Sequence, residues 1–277
     1  MRIKKEVRKI VASVLAFLMV VSLIPVNSLM TKANAASKTT FEGGKTVEDG
    51  TWKGWTWNVF GSSTDVTKAF ATDTGNGGVT LEVTGDKGKI NGSASDQGLN
   101  TFLYELDKSY DFTITAQAKV DTLAANAQAA FGLTIRDNVG THGNTAKLTA
   151  DKNNFAFVGG YGNQAASGHG NAGYKTTALA HTRLGESPEV GGTYDLAIQK
   201  VGDSVKLYFN GEVAAECSAD DLITDNAMYV GLFAARNAKV TFNNVKLAYT
   251  QDSSSVKVTT NVTAPKKTTY CAGNTYE

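Results

Sequence analysis

Thr193-Tyr-Asp-Leu-Ala-Ile-Gln-Lys-Val-Gly-Asp-Ser-Val-Lys-Leu-Tyr-Phe-Asn-Gly-Glu-Val-Ala-Ala-Glu-Cys217 decides the fold class. Tyr194, Leu196 and Ile198 alternate with Asp195 and Gln199. Gly202-Asp203 interrupts the run, and Val205, Leu207 and Phe209 then alternate with Ser204, Lys206 and Tyr208. Asn210-Gly211 interrupts it again, and both residues accept the positive φ of a type I′ turn. Val213, Ala215 and Cys217 alternate with Glu212 and Glu216. A period of two puts one side of each segment on a core and the other in water. The stretch is an antiparallel meander of three strands.

Outward from it, the same pattern recurs. Trp55–Phe60, Gly78–Val83, Thr101–Leu106, Asp111–Val120, Ala129–Arg136, Asn154–Val158, Tyr174–Leu179, Met228–Ala235 and Lys239–Tyr249 are predicted strands. In the last of these, Val240 and Phe242 keep one parity while Val245, Leu247 and Tyr249 keep the other. A bulge at Asn243-Asn244 reconciles them. No amphipathic helix of useful length and no internal repeat is found. Many short strands joined by Gly/Asn/Asp turns predict an all-β, two-sheet antiparallel sandwich over residues 36–250.

The ends read differently. Arg2, Lys4, Lys5, Arg8 and Lys9 precede an apolar run, Ile10–Ile24, and Ala33-Asn34-Ala35 fits a cleavage site, so residues 1–35 read as a secretion signal and the protein as extracellular. Of 27 basic and 26 acidic residues, this segment holds six and one. The remainder, 21 basic and 25 acidic, carries a net charge of −4. No basic run survives, so neither nucleic acid nor a membrane is an expected partner, and a monomeric module is expected. Residues 251–264 read as a Ser/Thr-rich linker. Cys217 lies on the apolar side of its strand and reads as a buried thiol. Cys271 lies in the polar tail, and whether the two pair stays open.

Three segments carry a resemblance. They are Tyr110–Val120 with Ala130–Asp137, then Tyr194–Gly211, then Tyr229–Val245. In order and spacing they resemble the concanavalin A-like, laminin-G-like jelly-roll modules of secreted bacterial carbohydrate-active proteins. The resemblance implies a jelly-roll fold and a non-catalytic accessory role beside pectate lyases or glycosidases. Residues 265–277 resemble the start of a bacterial Ig-like repeat.

That framework carries several groups with candidate chemistry. Glu105-Leu-Asp107 is a carboxylate pair on one strand face, but the third carboxylate of jelly-roll glycosidases is missing. Arg136, Tyr161, His169 and Tyr174 are residue types that lyases use to screen a uronate and abstract its proton, without the clustered strand motifs. No catalytic set is assigned. Three His and two Cys show no zinc spacing. No cofactor is expected, and a structural calcium stays open. The glycine-rich Gly159–Tyr174 reads either as a flexible hairpin tip or as a mobile loop able to close on a polymer. Trp52, Trp55, Trp57 and Phe60 supply rings that could stack on sugars, with Trp55 and Trp57 as candidates, while their shared parity is that of inward-facing residues and leaves a core role open for at least two of the rings. Arg136, beside Thr134, Gly132 and Ala130, is expected in a shallow groove, its guanidinium free to fork onto a carboxylate, with Arg236 joining it.

The predicted carbohydrate-binding set is therefore Trp55, Trp57, Arg136, Tyr161, His169, Tyr174 and Arg236. Its expected partner is a polysaccharide or oligosaccharide, with pectin one candidate. A lyase or glycosidase on the same fold and a ligand-free structural spacer are the alternatives.

Overall fold

The computed structural model describes residues 39–90, 97–148, 153–170, 180–185 and 187–250, and the backbone of 251–252, 255–260, 268–270 and 274–276. In chain order the strands are β1 (Trp55–Gly61), β2 (Ala69–Asp73), β3 (Val79–Val83), β4 (Gly98–Asp107), β5 (Asp111–Leu123), β6 (Ala130–Arg136), β7 (Phe155–Tyr161), β8 (Gln164–Gly170) and β9 (Ala180–Arg183). They continue as β10 (Thr193–Val201), β11 (Ser204–Phe209), β12 (Glu212–Ser218), β13 (Ala227–Ala235), β14 (Ala238–Asp252), β15 (Ser255–Thr260), β16 (Thr268–Tyr270) and β17 (Asn274–Tyr276). Among the described residues the helical content is one 3₁₀ turn, Val66–Lys68, and one α-helical turn, Ala219–Leu222.

Two seven-strand antiparallel sheets stack face to face. The first runs β1-β4-β13-β6-β7-β8-β9, the second β12-β11-β10-β5-β14-β3-β2, with β15 added beside β14. This is the predicted all-β, two-sheet antiparallel jelly-roll sandwich. The alternation read from the sequence places its core: Phe112, Ile114, Ala118 and Val120 of β5 face Phe131, Leu133 and Ile135 of β6. Asn100 ties the two layers together. Its Oδ1 accepts from Trp57 Nε1 at 2.7 Å, and its Nδ2 donates to Phe70 O and Glu82 O at 2.9 and 3.1 Å. A fully paired buried amide of this kind fixes one relative placement of the strands it joins.

The meander forms as expected. β10 pairs β11 and β11 pairs β12, with Asn210 and Gly211 at φ of 50° and 84° in their turn. The bulge in β14 is also present: its pairing with β5 shifts between Asn243 and Lys246, and Asn244 sits at φ 51°. Val240 and Phe242 before the bulge and Val245 and Leu247 after it all reach the core.

Other features differ from expectation. The pairing of β11 with β12 shifts between Leu207 and Tyr208, so Val213 sits opposite outward-facing Tyr208 and is 56% exposed, while Ala215 and Cys217 stay inward. Of the glycine-rich stretch, read as a closing loop or a hairpin tip, residues 159–170 are the end of β7 and all of β8, a hairpin with a tight turn at Gly162-Asn163, both at positive φ, while 171–174 lie outside the described residues. Glycine removes the side-chain pattern that marks a strand, yet here close approach requires it: a Cβ on Gly132 would overlap Val158 O and one on Gly159 would overlap Phe131 O. The backbone of Ser255–Thr260, in the segment read as a linker, runs antiparallel beside β14, and β16 pairs β17. Residues 1–38, with the predicted signal, and the predicted strand 174–179 lie outside the described residues.

The largest difference lies on the outer face of the first sheet. Phe60, Leu99, Phe155, Phe157, Phe233 and Ile90 form a second apolar cluster there, against which Val139 and Leu148 of the chain after β6 pack. That chain returns to the edge of β1. Asn58 Nδ2 donates to Gly140 O, Gly143 N to Val59 O, and Gly61 N to Asn144 O. The centre of the first sheet is thus buried on both faces, and every residue of β6 and β7 is buried, while the edge strand β9 is exposed along its length.

Candidate functional site

The predicted binding residues are dispersed by this arrangement. Trp55 and Trp57 belong to the inter-sheet core. Trp55 stacks on Phe102 at 5.3 Å and meets Trp52 edge-on at 5.7 Å, while the Trp57 indole nitrogen is committed to Asn100. Trp52, Trp55 and Trp57 are 3%, 1% and 7% exposed, so none offers a free ring face to a sugar.

The expected groove beside Arg136 is filled. Arg136 is fully buried, as are Thr134 and Ala130, its partners in parity. Its guanidinium lies over the rings of Phe60 and Phe155 at 5.6 and 5.1 Å. Nε donates to Asn138 O at 3.2 Å, and Nη2 donates to Gln97 Oε1 at 2.8 Å and to Asn153 Oδ1. Burial lowers its pKa to about 10, which still leaves it charged at neutral pH. The neighbouring Asp137 accepts from Asn154 N at 2.8 Å and from Thr224 Oγ1 at 3.2 Å. Burial raises its pKa to about 6, against the lowering pull of Arg136 and the two hydrogen bonds.

Tyr161 and Arg136 share a face but sit at opposite ends of the β6–β7 pair. Arg136 pairs Phe155 and Ala130 pairs Tyr161, six positions apart, or about 20 Å along a strand. The Tyr161 ring is covered by the Arg183 guanidinium at 5.0 Å and meets His181 edge-on at 5.2 Å. His169 pairs Ala156, one position on from Phe155, and therefore points to the other face of the sheet. Arg236 lies in the turn that carries the chain from one sheet to the other, at φ 52°, and its Nη1 donates to Asn126 Oδ1 at 3.4 Å. Tyr174 lies outside the described residues.

A cleft does open at one end of the sandwich, with a volume of about 240 Å³. Three connections build it: the β4–β5 turn (Lys108, Ser109), the β10–β11 turn (Gly202, Asp203), and the helical turn with its exit (Ala219, Asp220, Ile223). Lys200 forms its floor. Three hydrogen bonds fix the turns. Asp203 Oδ1 accepts from Ser218 Oγ and Asp220 N, both at 2.8 Å, and Gly202 N donates to Asp111 Oδ1 at 2.8 Å. The bonds from Asp220 N and Ser218 hold the Asp203 carboxyl below the usual range.

Lys200 is 4% exposed. Its Nζ donates to Tyr110 O at 3.1 Å and stands 3.9 Å from Asp111 Oδ1. Burial lowers its pKa, opposed by Asp111, Asp220 and Asp203. Lys108 Nζ donates to Ile223 O at 3.3 Å and lies 3.9 Å from Asp220 Oδ1. The cleft therefore sets ammonium donors beside carboxylate acceptors and a serine hydroxyl. Sugar hydroxyls both donate and accept, so they match such a lining better than a simple anion or cation does. One of these residues left a sign in the sequence: Lys200 shares the parity of Leu196 and Ile198, a charge on an apolar face. Lys108, Asp203 and Asp220 left none, because turn residues of these types are common on any surface.

The carboxylate pair of β4 stands at the exposed end of its strand. Glu105 and Asp107 are exposed, and Asp107 caps its turn by accepting from Ser109 N at 2.9 Å and Ser109 Oγ at 2.6 Å. Those bonds lower its pKa, the opposite of what a general acid requires. Among the described residues no group of three His, Cys, Asp or Glu side chains is placed to hold a metal ion. Cys217 is half-buried and unpaired among the described residues, Cys271 lying outside them, and its pKa is pushed up to about 11 by burial and then by Glu216, Asp203 and Asp221.

Fold and cleft together define an all-β sandwich with a polar end-cleft. The profile of no known protein family matches the chain. Among curated proteins, it is similar to "Pectate lyase L" of Thermoclostridium stercorarium, 30% identical over 204 residues, which cover 73% of this chain and 15% of that protein. The chain thus spans less than one sixth of the relative it matches. Among solved structures, it is similar to the carbohydrate binding module CBM66 from Bacillus subtilis (17% identity, 75% of this chain and 98% of that one, TM-score 0.37). It is also similar to an alginate lyase from Corynebacterium sp. (10% identity, 68% and 83%, TM-score 0.41). A third is a functionally unknown protein from Saccharomyces cerevisiae (14% identity, 68% and 100%, TM-score 0.44).

Proposed function

We propose that the chain is a secreted, non-catalytic carbohydrate-binding module of a longer polysaccharide-degrading protein. Its ligand is a pectin-type polysaccharide, and the end-cleft over Lys200 is the contact. The observation that carries this reading is the size of the match to the pectate lyase: 204 aligned residues, nearly the length of the sandwich, form only 15% of that protein. A unit of that proportion is one module among several. The cleft supports binding by offering paired donors and acceptors. The carboxylates support a role without bond cleavage. Asp107 is held ionised by its turn, and Asp137 is enclosed with both oxygens engaged. A shallow site of this kind binds weakly by itself and gains from its neighbours in a multimodular chain.

The test is binding of the chain from Ala36 onward to immobilised polygalacturonate, pectin and neutral plant glucans, with and without calcium. Ultraviolet absorbance of unsaturated products is followed in the same samples. Retention by a pectin-type polymer, reduced at least tenfold by Lys108→Ala combined with Asp220→Ala, is expected. No retention on any polymer refutes the binding reading. Appearance of unsaturated ends replaces it with a lyase.

A further inference from the structure

The cluster around Arg136 holds more donors than acceptors. Arg136, Gln97 and Asn153 are each fully buried. Gln97 Oε1 and Asn153 Oδ1 both accept from Arg136 Nη2. Arg136 Nε donates to Asn138 O, whereas among the described residues Arg136 Nη1, Gln97 Nε2 and Asn153 Nδ2 have no partner. Reversing either amide does not remove the imbalance, since it would set an NH₂ group against the guanidinium and lose an existing bond. Three buried donor groups thus stand in one hydrogen-bonded cluster with no free acceptor among its members.

Charge points the same way. Among the described residues no carboxylate lies in ion-pair range of the Arg136 guanidinium. The adjacent acid, Asp137, gives its oxygens to Asn154 N and Thr224 Oγ1 instead. The flanking groups, the rings of Phe60 and Phe155, are weakly polar and attract a cation without accepting its hydrogen bonds. A water molecule could accept here, but it brings two hydrogens that need acceptors. An anion only accepts, and it neutralises the buried charge.

We propose that Arg136, Gln97 and Asn153 form an internal site for one small monovalent anion, of the halide or formate class, beneath the chain that follows β6. A uronate carboxylate has the same chemistry, but Arg136, Gln97 and Asn153 are each fully buried, and a free ion needs far less room than a pyranose ring, so the free ion is taken as the ligand. The site is independent of the end-cleft and of any glycan bound there.

The experiment is thermal unfolding of the full chain in rising sodium chloride, sodium formate, sodium gluconate or sodium galacturonate at one ionic strength. Chloride and formate should raise the midpoint with a saturating, one-site dependence, as linkage requires, while the two bulky anions should not. Asn153→Asp places a carboxylate oxygen within the cluster and should weaken the chloride response at least tenfold in concentration, and Gln97→Glu should do the same from the other side. Equal responses to chloride and gluconate, or an unchanged chloride response in both variants, would overturn the proposal. Galacturonate acting as well as chloride would overturn the free ion as the ligand. Crystals soaked in bromide supply a readout that does not depend on folding of a variant: an anomalous peak beside Arg136 Nη1 is expected, and an ordered water there with no peak refutes the site.

Discussion

Replacing Asp137 by Asn should make the protein more stable at neutral pH and leave it unchanged in mild acid. Asp137 is 1% exposed, and its pKa rises from 3.8 to about 6. Between those values the folded state holds a proton that the unfolded chain has released, so stability must fall as pH rises through the window. At 1.36 kcal/mol per pH unit the displacement is worth roughly 3 kcal/mol, all of it lost by about pH 6–7. Asn mimics the protonated acid. Its oxygen still accepts from Asn154 N, and its NH₂ can donate to the Thr224 hydroxyl, which accepts as readily as it donates.

Other groups tilt the curve in the opposite sense. Burial lowers the pKa of His142, so it contributes stability that is present above pH 6.5 and lost as pH falls. Asp65, Asp107 and Asp203 have pKa values lowered chiefly by hydrogen bonds, and their contribution disappears on acidification below 3.8. These effects are common to both proteins and cancel in the difference. Urea unfolding of wild type and Asp137→Asn at pH 4, 5, 6 and 7 should therefore give curves that coincide at pH 4 and diverge by roughly 2–3 kcal/mol at pH 7, the variant being the more stable. Parallel curves, or a variant less stable at pH 7, would refute the reasoning. That result would mean that the Arg136 charge outweighs burial and that Asp137 already serves as its counter-ion.

Three further outcomes are expected. Gly132→Ala forces a Cβ onto Val158 O at φ 153°, so it should cost about 3 kcal/mol or more in urea unfolding, whereas Gly211→Ala, whose Cβ meets nothing, should cost only about 1 kcal/mol for its left-handed backbone. Tryptophan emission should resist acrylamide quenching and should not shift on adding a glycan that binds, because all three indoles are buried; a shift would return the tryptophans to the contact surface. Alkylation of Cys217 in the folded protein should be more than tenfold slower than in urea at pH 8, since little thiolate exists below a pKa of about 11.

Much of this molecule was legible before it was folded. The period of two in Thr193–Cys217 and in Asp111–Val120 is a local property of the chain, and so are the positive φ values that Asn210-Gly211 tolerates and the change of parity at Asn243-Asn244. Each needs only neighbouring residues to be recognised, and each appears where it was expected. β8 was missed because Ala165, Ala166, Gly168 and Gly170 give a strand no amphipathic signature; its identity comes from pairing with β7 and β9. The candidate site was far less legible. Gln97, Arg136 and Asn153 are distant in sequence, and the three turns that build the cleft share no motif.

Alternation divides a strand into two sides but does not say what lies above either one. Local pattern pointed to two antiparallel layers and to much of the core between them, but it offered Trp55 and Trp57 as binding rings although they belong to that core, and it turned Val213 inward although it is exposed. Whether Arg136 lines an open groove or lies under a second core depended on where residues 138–148 return, and on the rings of Phe60, Phe155, Phe157 and Phe233 meeting across one sheet face. Those are contacts between segments tens of residues apart. Only the folded chain, by satisfying the apolar surface of both sides at once, could decide them.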